Sequence, residues 1–346
     1  MTYPEQIADH FAEQATHCDA MGSPYTARLC RLLPDALTGE MRTRVAAWPG
    51  IAKTDALALR ICGGLKSSAA LGGPMAAVQP PEEATDAEIA AAIRDTQRWR
   101  PDFLPAWLAS APQTNEVGRS AMLLGGLLEL DRRFALPITL LEIGASAGVN
   151  LFPDRNAYDL GNDRTWAAEG ATVRIRSDWR GSRPDLARIP RVISRRGSDL
   201  APIDAGDPAV RARMLAYVWA DQEERLARAE AALEQVAASG IAIEQGSAAA
   251  WLETVLNEPQ EAGTLRVVQH TVMWQYMPER EKAAGEAAFA AAGARATPDR
   301  PLARLSVEYD GDYGGAAITL TTWPGGKPEL IGRSQFHGAW VEWMLS

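Results

Sequence analysis

The chain has 346 residues, with 35 Lys and Arg against 44 Asp and Glu and a net charge of −9. The length suits one large domain or two ordinary ones. The charge is evenly spread, 13 basic against 16 acidic side chains in 1–135 and 22 against 28 in 136–346. This balance argues against nucleic acid as a partner, and no apolar run reaches the roughly 18–20 residues of a membrane span.

In chain order, the start MTYPEQIADHF lacks the basic and apolar regions of a secretory signal, so a soluble cytoplasmic protein is expected. Residues 4–20 place Ile7, Phe11 and Ala15 on one helical face. Cys18, Cys30 and Cys62 are widely spaced and fit neither a disulfide framework nor a zinc motif. His10 and His17 share a face, but the chain's four histidines form no compact ligand set, and no metal is expected. The segment 63–81, punctuated by Gly63-Gly64, Gly72-Gly73 and Pro80-Pro81, reads as loop. Thr85 and Glu88 form a capping box that opens a helix to about Trp99. A helix over 115–134 has a nearly continuous apolar centre and should be buried. Together, residues 1–135 read as a helical N-terminal cap domain.

From 138 the texture changes. Strands are expected at 139–143, 191–194, 241–244, 265–270 and 302–309. Helices alternate with them. Asp207-Pro208 starts one helix and Asp221 with Glu224 a second, Gly240 is the stop, and a later helix runs from Pro278 to Gly293. Such alternation predicts a parallel sheet with helices on its faces. An antiparallel meander follows at 317–323 and 330–336, around the turn Pro324-Gly325-Gly326. The chain has 11 Trp, and eight of them follow residue 150. Large core residues are the plainer account, though Trp also lines ligand pockets.

The sharpest motif is Glu142-Ile143-Gly144-Ala145-Ser146-Ala147-Gly148 after the first strand, leading into an expected helix. Two chemistries use such a unit. In a nucleotide-type cofactor loop, Gly144 permits the tight turn and Gly148 the close approach of backbone to ligand. Glu142 at the end of a buried strand then fixes the loop or meets a cationic ligand, such as the ammonium and sulfonium of S-adenosylmethionine. Phosphates of NAD or ATP would be repelled there. In a nucleophile elbow, G-x-S-x-G makes Ser146 the nucleophile of a serine hydrolase, with a later Asp and then His270 or His337. The elbow normally follows several strands, and here helices and loops precede it. The second strand supports the cofactor loop. Gly197-Ser198-Asp199-Leu200 ends it in an acid placed to accept two ribose hydroxyls, although the same acid also suits a helix cap. The interval between Gly148 and Asp199 exceeds the usual one of about 20 residues. The excess, 152–190, reads as an insertion holding Trp166, a strand at 173–176 and Trp179.

On these residues the chain resembles the class I S-adenosylmethionine-dependent methyltransferases over about 138–310. Over nearly its whole length it is similar to an uncharacterised bacterial family known as a domain of unknown function. The landmarks of that family here are 113–119 (Gln-Thr-Asn-Glu-Val-Gly-Arg), the glycine loop, 197–204, 268–276 and His337-Gly338-Ala339-Trp340. The methyltransferase resemblance implies an α/β fold, a Rossmann-like sheet with a helical N-terminal cap and an antiparallel C-terminal edge, the second domain being 136–346. It implies cofactor contacts from Glu142, Gly144, Ala145, Ser146, Gly148, Asn150, Asp199, Leu200, Ser247 and Gln269. Two departures stand out. Ser247 replaces an acid that often holds the adenine amine, and no Asn-Pro-Pro-Tyr-like motif follows the fourth strand.

Three readings of function follow: a methyltransferase acting on a small molecule, a noncatalytic cofactor-binding protein of the same fold, and the serine hydrolase. For methyl transfer, His270 is the candidate base, with an ordinary pKa near 6.5. A hydrogen-bonded structural histidine is the plain alternative. Asn115, Glu116 and Arg119 are expected on the first turns of the helix before the first strand, with Asn115 and Arg119 on one face. With Trp274, Tyr276 and His337 they are the candidate substrate pocket. The sequence leaves the methyl acceptor and the oligomeric state open.

Overall fold

The computed structural model describes residues 3–109, 111–113, 115–312 and 314–345. The chain forms two compact units. One comprises 1–114 and 207–227, the other 115–206 and 228–346.

The first unit is helical: α1 (Glu5–Ala20), α2 (Pro24–Ala36), α3 (Gly39–Ala46), α4 (Leu57–Ala70), α5 (Asp86–Trp99) and α6 (Phe103–Leu108), joined by the helix Pro208–Ala216. Its core gathers Phe11, Leu33, Leu37, Leu57, Ile61, Leu65, Ile89 and Ile93. The capping box of α5 forms as expected, Thr85 Oγ1 accepting the Glu88 N–H and Glu88 Oε2 accepting the Thr85 N–H. Gly63-Gly64 does not break the chain; both glycines lie inside α4. A Cβ on Gly63 would stand 2.7 Å from the Tyr217 ring, and one on Gly64 2.9 Å from Leu104. These glycines therefore permit close helix approach, at a propensity cost of about 1 kcal/mol each. Asp221 does not cap its own helix. Its carboxylate accepts Ser23 Oγ–H and, at 2.8 Å, the Tyr25 N–H, closing the first turn of α2 across 196 residues of sequence. Cys18, Cys30 and Cys62 are buried free thiols, and two of them meet, Cys30 Sγ lying 4.0 Å from Cys62 Sγ.

The second unit begins before residue 135. Helix α7 (Ser120–Phe134) is buried along Ser120–Leu130 and packs on the sheet. A Cβ on Gly125 would fall 2.7 Å from Trp343, and one on Gly126 would strike Leu305. Then come β1 (Ile138–Ile143), the short strands β2 (Ala157–Asp159), β3 (Thr165–Ala167), β4 (Arg174–Arg176) and β5 (Asp178–Gly181), and β6 (Val192–Asp199). The chain gives Pro208–Ala216 (α8) to the first unit and returns in α9 (Glu223–Ser239). It continues through β7 (Glu244–Gln245), α10 (Ala248–Asn257), β8 (Leu265–Thr271), α11 (Glu279–Arg295), β9 (Leu302–Glu308), β10 (Ala316–Trp323), β11 (Pro328–Ser334) and β12 (Trp340–Trp343).

Nine strands form one mixed, mostly parallel sheet, β5-β12-β11-β10-β9-β8-β1-β6-β7, and β3-β2-β4 form a small second sheet. Strands β7, β6, β1, β8 and β9 run parallel, and β9 to β12 form the expected antiparallel meander. Every residue of β8 is buried, as befits a strand covered on both faces. Leu141, Ile143 and Val268 pack under α10 and α11 with Trp251, Leu252 and Phe289. Leu305 on the opposite face meets α7. Among the described residues no helix is long and apolar enough to cross a membrane.

Candidate functional site

Strand β1 has β6 on one side and β8 on the other. The connections therefore diverge at its carboxyl end, where open α/β sheets form their ligand crevice. The glycine turn 144–148 occupies that position. Gly144, Ser146 and Gly148 all have positive φ, +68°, +52° and +82°. Asp199 at the end of β6 clamps the turn: Oδ2 accepts the Ser146 N–H at 2.8 Å and Oδ1 accepts the Ala201 N–H at 2.9 Å. Ala145 N–H donates to the Ser198 carbonyl, and Ile203 N–H to that of Ser146. The turn is packed tightly. A Cβ on Gly144 would lie 2.8 Å from Met273, and one on Gly148 2.8 Å from Ile243.

The expected helix after this turn does not form. Two 3₁₀ turns, Val149–Leu151 and Pro153–Arg155, stand in its place. The reason lies in who takes the backbone groups. Gln269 Nε2 donates to the Asn150 carbonyl at 2.6 Å, and Arg195 Nε to that of Leu151 at 2.9 Å. A helix would need both carbonyls for its own ladder, and Pro153 has no N–H to return to Val149. Asn115 Oδ1 accepts the Val149 N–H at 3.1 Å.

Glu142 is 1 % exposed and accepts from Gln269 Nε2 at 3.3 Å. Burial pushes its carboxyl up to about 8; Gln269 and the charge of Arg119 pull it down, and Asp199 pushes it further up. It therefore holds a proton near neutral pH. Around it the sequence-predicted residues do meet, in an altered local structure. Asn115 and Arg119 share no α-helical face, because Asn115 belongs to no helix, Glu116 is extended and Val117–Arg119 is a 3₁₀ turn. Thr114 lies outside the described residues. The Glu116 carbonyl accepts Asn150 Nδ2–H at 3.3 Å, and Asn150 Oδ1 accepts Ser120 Oγ–H at 2.9 Å. The Glu116 carboxylate accepts the Gly118 N–H and stands 3.6 Å from Arg228. Arg119 donates to the carbonyls of Phe336 (3.0 Å) and Thr271 (3.4 Å). The backbones of Gly118 and Gly338 touch so closely that a Cβ on either would strike the other segment. The His337 N–H donates to Gln335 Oε1, beside this contact.

His270 is elsewhere. Side chains alternate along β8, so His270 faces α11 while Gln269 faces α7. Its ring is fully buried and both nitrogens are used. Arg304 Nε donates to Nε2 at 3.0 Å, which leaves the proton on Nδ1, 2.7 Å from Glu308 Oε1. Burial lowers its pKa, with Glu308 opposing. A neutral, doubly engaged imidazole cannot take a proton from a substrate, so the expected base becomes a structural residue. Glu308 in turn accepts the Met273 and Trp274 N–H groups and holds the segment after β8. Trp274 stacks on His270 at 5.1 Å beneath Arg304. Tyr276 and Leu200 are exposed, at 75 % and 72 %. Ser247 caps α10 through the Ala250 N–H. Ser146 Oγ is buried with no hydrogen bond among the described residues, and no described imidazole reaches it.

Arg195, Met273, Arg304 and Glu308 went unread in the sequence. Glu308, at the end of β9, is the acid that a strand-end search would have marked. Among the described residues no group of His, Cys, Asp or Glu could hold a metal ion. A family model described as "uncharacterized protein conserved in bacteria (DUF2332)" matches residues 8–343. No curated protein and no solved structure matches the chain.

Proposed function

The chain belongs to that bacterial family, and from the geometry of its own residues we propose that it binds S-adenosylmethionine at the carboxyl ends of the parallel strands and methylates a small molecule. One observation carries the reading: Asp199, at the end of the strand beside β1, is hydrogen-bonded across to the glycine turn. The order β7-β6-β1-β8-β9 supports the reading, because open α/β sheets take ligands at the carboxyl ends of strands where the connections diverge.

The residues fit the cofactor's chemistry. A carboxylate has about four acceptor positions, so Asp199 keeps capacity for ribose hydroxyls after taking two N–H groups. Buried Ser146 Oγ and Gln269 Oε1 have no hydrogen-bond partner among the described residues and suit polar ligand atoms. Glu142 would ionise beside a cation, exchanging its proton for the ligand's charge. The bound cofactor supplies an electrophilic methyl group on sulfur. The protein's part is positioning, which contributes up to roughly 7–11 kcal/mol to such displacements. The engagement of His270 favours one second reading, a binding protein without turnover.

Calorimetric titration with S-adenosylmethionine and S-adenosylhomocysteine tests the site. Saturable binding that weakens in Asp199→Ala is expected. No heat at millimolar ligand would remove the proposal. Binding without turnover across a panel of small acceptors would leave the noncatalytic reading.

A further inference from the structure

A second site lies at the opposite ends of the strands. A cavity of about 240 Å³ opens where β8 and β9 begin, bordered by the C-terminal ends of α10 and α11. Strands of seven residues separate it from the glycine turn by roughly 20 Å. Three guanidinium groups line it, Arg266, Arg295 and Arg300, against one lining carboxylate, Glu258; a second carboxylate, Asp299, lies outside the lining with Oδ2 3.7 Å from Arg300 Nη1. The Glu258 carboxylate is already committed, 2.7 Å from Arg196 Nη1.

The helix C-terminus would oppose an anion if its carbonyls were open, but they are occupied. Arg266, 7 % exposed, donates to the carbonyls of Val255, Leu256, Glu258 and Pro259. Arg295 donates to the Leu256 carbonyl at 3.0 Å. Arg300 Nε donates to the Gln260 carbonyl at 3.0 Å. Arg295 Nε and Arg300 Nη2 make no hydrogen bond among the described residues. Burial and the neighbouring charges of Arg196 and Arg295 lower the Arg266 pKa, with Glu258 opposing. A positive excess around a part-buried cavity is relieved by an anion, and forked guanidinium donors match phosphate oxygens. Leu256 and Leu302 give the cavity an apolar wall. Its size is below the roughly 300–1,000 Å³ of drug-sized ligand pockets.

We propose that this arginine-lined cavity is a binding site for a small phosphate monoester, with the phosphoryl group between Arg295 and Arg300 and the carbon body against Leu256 and Leu302. The site is independent of the glycine turn and of methyl transfer.

The test is calorimetric titration of the whole protein with phenyl phosphate, in chloride of matched ionic strength. Saturable binding is expected, with about a tenfold loss in Arg295→Gln/Arg300→Gln. Arg300→Gln alone alters only a half-exposed side chain, so it stays folded and should still lose about threefold. Asp199→Ala should bind phenyl phosphate as the unaltered protein does. The proposal is overturned by the absence of saturable heat up to about 20 mM, by unchanged affinity in Arg300→Gln, or by loss of binding in Asp199→Ala at a temperature where circular dichroism shows that variant folded, which would assign the heat to the glycine turn.

Discussion

Glu142 ties two measurable properties to one proton. The buried carboxyl titrates near 8 in the folded chain, well above the ordinary value of 4.5. Because the folded pKa is raised, its favourable contribution is complete below about pH 4.5 and is lost as pH rises through about 8. Each unit inside that window costs up to about 1.4 kcal/mol. Glu142→Gln retains the shape, removes the titration, and should raise stability at pH 8 by a few kcal/mol while changing little near pH 5. Urea unfolding at the two pH values measures this, and equal effects at both would contradict it. If the chain binds S-adenosylmethionine as proposed, binding has the matching sign. Below pH 8 the free protein must release the Glu142 proton to meet a cation. S-adenosylmethionine should therefore bind up to about tenfold more weakly per unit as pH falls below 8. Titration across pH 6.5–9 would follow this, and a flat profile in Glu142→Gln would assign it to this residue.

The turn and its clamp form the element on which the site depends, and they show what a sequence discloses. Strand β1, its glycine turn and the acid ending β6 were legible, because apolar runs, glycine spacing and strand-end acids are local signals. The missing helix was not. It is prevented by Gln269 and Arg195, whose hydrogen bonds to Asn150 and Leu151 close across 119 and 44 residues. His270 misled for a related reason: a period-2 strand puts neighbours on opposite faces, and composition does not say which face holds the site. Strands β5 and β12 escaped notice because each has four residues and they pair across about 160 positions. The expected strand at 241–244 shrank to Glu244–Gln245 at the sheet edge. If the Asp199 clamp organises the turn, Asp199→Ala removes the two bonds that the carboxylate makes to the Ser146 and Ala201 N–H groups. Charge-assisted bonds contribute about 1.5–3 kcal/mol each when buried; the Ser146 bond is part-buried and the Ala201 bond exposed to water, which weakens them, so a loss of about 2–4 kcal/mol is expected at pH 7. Chemical denaturation reads it, and an unchanged midpoint would show that the clamp organises nothing.

At the scale of the whole chain, the 47 % apolar content gave a folded protein with a buried core, but not the path of the chain between units. The first unit is discontinuous, since residues 207–227 leave the second unit's sequence to complete it. That segment brings Trp219 into the helical core, puts the Tyr217 ring against Gly63 of α4, and supplies the Asp221 carboxylate that closes α2. Burying a large aromatic contributes several kcal/mol, and a helix cap about 1 kcal/mol, against a total of about 5–15 kcal/mol for a typical domain. Residues 1–114 expressed alone should therefore lack cooperative unfolding. Linking 207–227 to that fragment should restore a single sharp transition, read by circular dichroism against temperature. A cooperative transition in 1–114 alone would show that α1–α6 suffice and that the returning segment only docks on a finished fold.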